Sequence, residues 1–467
     1  MTSAVASWRE RIIGLDARVP LLDGRTVPYV NLDNAATTPP LRDVVEAVQR
    51  FLPFYGSVHR STGYKSRLST AAYDEAHRTV ARFVGADPDT AAVVFGKNTT
   101  EAINKLAHRY PLPEGAVVVT TLMEHHSNDL PWRGRAQLVR VGLLPDGRLD
   151  EEHLDRLLAL HAGRIALLTV SGASNVTGFV QPVHRLARKA HAVGARILVD
   201  AAQWAPHRPI DVRPVDHPEH LDYVVLSAHK LYAPFGTGAL VGRPDIFLSG
   251  APEYRGGGTI DLVWLDEVEW AGLPHREEAG SPNVVGAVAL AAAASALLEA
   301  GLDALSRHEQ ALTAYALERL ASVPGLTLYG DADPSRVADR VGVIPFNLAG
   351  FHDGLVAAIL GHEVGIGVRH GCFCAQAYVA HLLGIPEAVR RRLADRKPGM
   401  VRISFGVYNT PEDVDALVEA LLRIGRGEYR GRYALGPDGE YAPAGPQKPF
   451  VIPVRMDDRV ESWASFT

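Results

Sequence analysis

A primary amine at the end of an apolar strand is suited above all to condensing with a carbonyl to form an imine. Lys230 sits this way. It is one of seven lysines in the chain and follows the run YVVLS (223–227), with Ser227 and His229 beside it. The glycine-rich turn Phe235-Gly236-Thr237-Gly238 suits a crowded, ligand-facing loop better than a solvated lysine. Asp200 closes the run RILVD (196–200). A carboxylate delivered there needs a cationic or hydrogen-bonding partner, either a protonated pyridine nitrogen or the helix N-terminus that Asp200 would cap. Thr99 and Thr100, within GKNTTE (96–101), open a predicted helix over 99–110. Its free N–H groups favour a phosphate, although threonine also serves as an ordinary cap. No P-loop pattern and no G-x-G-x-x-G accompanies them, which argues against a nucleotide. His125 and His126 follow AVVVTT (116–121). A ring there can stack on an aromatic ligand or move protons, whereas adjacent histidines lack the i, i+4 spacing of metal-binding helices.

These residues need a common scaffold. Seven β-branched apolar runs, AVVF (92–95), AVVVTT (116–121), AQLVRV (136–141), IALLTV (165–170), RILVD (196–200), YVVLS (223–227) and GALVG (238–242), alternate with turns and amphipathic stretches. That pattern predicts an α/β fold with one mostly parallel sheet of about seven strands. In such sheets ligands collect outside the carboxyl ends of the strands. The ends carry GKNTTE (96–101), MEHHSN (123–128), SGASN (171–175), DAAQ (200–203) and SAHK (227–230), five polar groups on one predicted edge. The expected organisation is an N-terminal arm (1–30) packing on a smaller domain, a large domain (31–290), a small C-terminal α/β domain (291–425) that includes VRISF (401–405), and an extended tail (426–467) rich in Gly, Pro and Tyr.

Bulk properties narrow the function classes. With 467 residues, 47% hydrophobic and 22% charged, and a net charge of -5, the chain has no basic field for nucleic acid or an anionic membrane. A small-molecule partner and a cytoplasmic location are expected, since no apolar run resembles a signal peptide or a spanning helix. Cys372 and Cys374 are the only cysteines, so no disulfide framework or usual structural zinc site is expected. Their spacing would place both thiols on one side of an extended loop, where a bridge between them would be strained.

Taken in order, LDNAATTPP (32–40), NTTEAIN (98–104), MEHHSNDLPW (123–132), SNVTG (174–178), VDAAQ (199–203), SAHKLYAPFGTG (227–238), EAGSPN (278–283), RHGCFCA (369–375) and RISFGVYNTPEDVD (402–415) resemble the class V aminotransferases, in particular their cysteine desulfurase branch. The resemblance implies pyridoxal-phosphate (PLP) fold type I. It makes Lys230 the Schiff-base lysine, Asp200 the partner of the pyridinium, Gln203 the donor to the phenolic oxygen and His125 the residue stacked on the ring. Thr100, Ser227 and His229 are implied at the phosphate, beside Thr99 at the start of the same predicted helix, with Ser281 reaching it from the second subunit of a homodimer. The candidate substrate-binding set is Asn175, Arg369, His59 and Arg402, and no metal is implied. Cys374 matches the sulfur-accepting cysteine. The Gly371-Cys372-Phe373-Cys374 run looks more like the molybdenum-cofactor sulfurases, and Gln376-Ala377-Tyr378 replaces the more usual proline-containing continuation.

The reaction so implied converts L-cysteine to L-alanine. Lys230 removes the α-proton, Cys374 attacks the substrate sulfur and keeps it as a persulfide, and an acceptor protein or small molecule then takes the sulfur. Alternatives within the fold are a C–S lyase, selenocysteine lyase, epimerase or transaminase. A non-catalytic binding partner is a further alternative, against which an intact Lys230 and Asp200 count. Cys372 can relay the sulfur, tune the thiolate or fill space.

Overall fold

The structure is a computed structural model describing residues 8–59, 61–392 and 398–445. All seven apolar runs are strands: β1 (Ala92–Gly96), β2 (Val117–Thr121), β3 (Gln137–Val141), β4 (Ile165–Ser171), β5 (Arg196–Asp200), β6 (Tyr223–Ser227) and β7 (Gly238–Gly242). They form one sheet in the order β1-β7-β6-β5-β4-β2-β3. Neighbours are parallel except for β7, which runs antiparallel to both β1 and β6. Because both of its neighbours oppose β7, β1 points the same way as β6, and its carboxyl end joins the shared edge. β2 and β6 are buried along their whole length, which is why they read as continuous apolar runs rather than alternating ones.

Helices cover both faces. On one side lie α1 (Tyr64–Phe83), α3 (Val183–Ala192) and α4 (Val284–Ala300), which enclose Val93, Val119, Val170, Val199 and Val224. The other face packs on α2 (Thr99–Arg109) through Ile103 and Leu106 against Val118, Leu198 and Val225. The Ala-rich helix α4 belongs to the first core, with Ala287, Leu290, Ala293 and Leu297 all buried there. Small side chains allow it a close approach.

A second sheet, in the order β8 (Leu326–Leu328), β9 (Val343–Leu348), β11 (Met400–Ser404), β10 (Arg369–Gly371), is antiparallel throughout. With α5 (Asp353–Ile359) and α6 (Pro411–Gly425) it builds a separate core around Phe346, Ile403, Leu417 and Leu421. Residues 8–31 run between the two cores. Trp8 and Ile12 enter the first, and Val30–Asn31 pairs in parallel with Ile366–Gly367 beside the second. Beyond α6, where the sequence lacks periodicity, β12 (Tyr433–Leu435) and β13 (Tyr441–Pro443) form a hairpin across the turn 436–440. Residues 446–467 of the expected tail and 1–7 of the expected arm lie outside the described residues. No single helix among the described residues is long and apolar enough to cross a membrane.

Candidate active site

The floor of the site is the carboxyl edge of the first sheet. Asp200, the last residue of β5, is 5% exposed, and its Oδ1 accepts a hydrogen bond from the Ala202 N–H at 3.0 Å. Burial raises its carboxyl above the ordinary range, against one backbone donor and the nearby Lys230. Lys230 ends the short turn Ala228–Lys230 that follows β6. Burial pushes its amine down to about 8, with Asp200 opposing and Arg402 reinforcing the shift. An amine with that pKa is available as a neutral base or nucleophile near neutral pH.

Hydroxyls gather at the start of α2. Asn98 caps the helix by accepting from the Glu101 N–H. Ser227 Oγ accepts from the Thr99 N–H at 2.8 Å and lies 2.7 Å from Thr99 Oγ1, while Thr100 Oγ1 is 2.6 Å from Ser127 Oγ. The helix N-terminus and this hydroxyl group together suit an anion. His125 Nδ1 accepts from the Ser127 N–H at 3.1 Å, which leaves that nitrogen unprotonated. Burial, together with the charge of Lys230, takes the ring down to about 3, so it is neutral. His229 is likewise pushed down, to about 4, by burial and by Lys230.

The loop carrying His125 is fixed by Glu124, which the sequence reading did not single out. Its carboxylate accepts from Thr121 Oγ1 (2.6 Å), Asn128 Nδ2 (2.7 Å), Ser171 Oγ (2.7 Å) and the Ser171 N–H (3.1 Å). Burial still outweighs these donors and raises it to about 7. The available signal was an acidic residue inside MEHHSN at a strand end, but its partners lie up to 47 residues away.

The facing wall comes from the second sheet. Arg402 on β11, 3% exposed, donates to the Asn175 carbonyl and to Asp33 Oδ1, each at 2.9 Å, and its guanidinium lies 4.9 Å from the Phe373 ring. Arg369 is more open and lies 3.8 Å from Asp33 Oδ2. The cysteine loop departs from the extended form expected from sequence, because Phe373 (φ 52°) and Cys374 (φ 54°) are both left-handed. Two such residues cost about 1–2 kcal/mol each, so the loop needs external anchors. It has them: Asn175 Nδ2 donates to the Phe373 carbonyl and the His126 N–H to the Cys374 carbonyl, both at 2.7 Å. The thiols therefore part company. Cys372 packs against the first core, Cys374 is exposed, and no disulfide joins them.

One cavity of about 240 Å³ is lined by Thr99, Thr100, His125, Asn175, Asp200, Gln203, Ser227, His229, Lys230, Arg369, Cys374 and Arg402. His59 and Ser281 are not among them; they line a different cavity of about 640 Å³. Gln203 donates through Nε2 to the Ala35 carbonyl at 2.6 Å, and its Oε1 is buried without a partner. Phe373 and Ser127 also line the main cavity and were missed as individual residues, since their places depend on contacts across the fold.

Known proteins resemble this chain in sequence and in fold. The family model for class V aminotransferases matches residues 30–417. A cysteine desulfurase of Haloferax volcanii is 36% identical, over 88% of this chain and 93% of that protein. One from Pectobacterium atrosepticum is 37% identical, over 85% and 94%. Among solved structures, the apo cysteine desulfurase of Thermococcus onnurineus superposes with a TM-score of 0.75 at 33% identity, covering 85% of this chain and 95% of that one. The cysteine desulfurase CsdA of Escherichia coli gives 0.74 at 32%, covering 90% and 98%. The match over residues 30–417 and the identity across most of both chains show that the chain belongs to the class V aminotransferase family.

Proposed function

We propose that this chain is a PLP-dependent cysteine desulfurase that moves sulfur from L-cysteine onto Cys374. The observation that carries the reading is the shared cavity: the amine of Lys230 and the thiol of Cys374 line the same space, with Arg369 and Arg402 beside them. The residues present fit PLP. The buried Asp200 carboxyl faces the cavity as a partner for a pyridine nitrogen, and Gln203 lines the same cavity, where the second hydrogen of its Nε2 would be the donor to the phenolic oxygen. The hydroxyls of Thr99, Thr100 and Ser227 at the start of α2 suit a phosphate.

When bound, PLP supplies an electron sink for the carbon next to the substrate's amino group. The chain does the rest. Lys230, which would also hold the cofactor, takes the α-proton as a neutral amine. Asn175 and Arg369, with Arg402 beside them, hold the substrate carboxylate, for which the planar guanidinium is well shaped. The neutral His125 ring lines the cavity and would flank the bound cofactor without adding charge. Cys374, as thiolate, attacks the substrate sulfur: a sulfur–sulfur bond forms, the carbon–sulfur bond breaks, and the carbon skeleton takes up protons to leave as alanine. Cysteine and the enzyme thiol thus give alanine and an enzyme persulfide, with no external oxidant.

On this reading residues 31–290 supply the cofactor edge and 291–425 the substrate wall. The enzyme works as a cytoplasmic homodimer in which Ser281 and His59 serve the neighbouring subunit. The Gly371-Cys372-Phe373-Cys374 run supports a place near the molybdenum-cofactor sulfurases, with a protein or small molecule as the final acceptor. The test is a product assay with L-cysteine, combined with borohydride treatment. Alanine equimolar with persulfide, and a cofactor adduct on Lys230, are expected. Pyruvate and sulfide without alanine would overturn the reading in favour of a lyase.

A further inference from the structure

The C-terminal hairpin lies beyond the family match, which ends at residue 417, yet it is tied to the cysteine loop. We propose that β12–β13 is a strap that positions Cys374, with Glu440 as the positioning residue acting through His370; the proposal rests on the desulfurase reading for its effect on turnover.

The chain of contacts is short. Glu440, just before β13, places Oε2 2.6 Å from His370 Nε2. The other nitrogen of that ring, Nδ1, lies 3.6 Å from Asp353 Oδ2 at the start of α5. The same Asp353 oxygen accepts the Gly371 N–H at 2.9 Å. One imidazole thus links a hairpin carboxylate to the buried carboxylate that holds the first residue of the Gly371-Cys372-Phe373-Cys374 run. The space for this is reserved by Gly354, where a Cβ would come within 3.2 Å of the Tyr441 ring and 3.3 Å of the His370 ring.

The strap is anchored at its root. Glu363 accepts the N–H groups of Arg430 (2.9 Å) and Gly431 (2.8 Å) and the Tyr433 hydroxyl (3.1 Å), and Arg430 pairs with Asp23 at 2.9 Å. A tethered hairpin joined to β10 through His370 has a clear use. The two left-handed residues that follow are strained, and their other anchors, Asn175 and His126, grip only the far side of the loop. Fixing the near side keeps the thiol, exposed though it is, in the lining of the cavity.

Glu440 is well exposed, so its removal leaves the fold intact and weakens one contact. The experiment uses the full-length holoenzyme with Glu440→Gln, His370→Asn and the double variant. Two rates are followed: alanine release from L-cysteine, and alkylation of Cys374 by iodoacetamide, read by peptide mass. In Glu440→Gln we expect alkylation to be faster and kcat lower, each by about two- to fivefold, with KM and cofactor absorbance unchanged. Adding Glu440→Gln to His370→Asn should change neither rate further. Wild-type rates in Glu440→Gln, or an equal effect with and without His370, would overturn the proposal. If the unmodified enzyme releases no alanine, the desulfurase reading alone fails, and the alkylation cycle still decides the strap.

Discussion

Lys230 must lose a proton before it can act, and burial beside Arg402 pushes its amine down to about 8. The sign follows directly: below that pH the amine is charged and idle, above it neutral. In cofactor-stripped protein, the rate at which PLP becomes fixable to Lys230 by borohydride should rise about tenfold per pH unit up to about 8 and then level off. A plateau beginning near the ordinary lysine range would show that burial is not the controlling influence. Asp200 works at the same scale. Asp200→Asn keeps the shape but removes the negative charge, and turnover should fall at least about a hundredfold while the fold survives. The two cysteines separate by place. Cys374→Ser should abolish both alanine release and the persulfide mass, whereas Cys372→Ser, altering a side chain packed on the core, should keep the first persulfide. The reverse pattern would move the nucleophile to Cys372.

Secondary-structure elements carry these residues, and the link between β2 and β3 shows how. Glu124 accepts from four donors, of which the two on Ser171 tie the loop to β4, and two of the four bind an oxygen that glutamine would turn into an amide nitrogen. Glu124→Gln should therefore destabilise the protein by about 1–3 kcal/mol, seen as a lower Tm and faster loss of cofactor absorbance. An unchanged Tm would mean that the loop holds itself. This element also marks the limit of what the sequence shows. All seven strands of the main sheet were legible, six because burial on both faces demands continuous β-branched runs and the half-open edge strand β3 because its run is still mostly apolar, and three of them keep the same bounds as their runs. The second sheet was legible only at β11, since three- and six-residue strands with mixed polarity leave little periodicity. Residues at strand ends could be read as one group from topology. The roles of Glu124, Phe373 and Glu440 could not, because each depends on a partner far along the chain.

At the scale of the molecule, one surface stands out. The hairpin of Ile260–Val263 and Val268–Trp270 exposes Leu262, Val263, Trp264 and Leu265 beside the cavity that holds His59 and Ser281. Apolar side chains so open to water suit a second subunit. If the proposed homodimer forms through this hairpin, Trp264→Asp combined with Leu265→Asp should shift the protein from dimer to monomer in sedimentation and lower cofactor retention, and an intact dimer would place the interface elsewhere. The order of the main sheet has a consequence for how the chain is made. Strand β1 sits at the sheet edge and pairs only with β7, whose first residue is Gly238. A ribosome adding about 5–20 residues per second emits β1 roughly 7–30 seconds before that neighbour exists. During this interval the sticky Ala-Val-Val-Phe run waits with both hydrogen-bonding edges open, so the nascent chain, rather than the finished enzyme, is where a chaperone has most to protect.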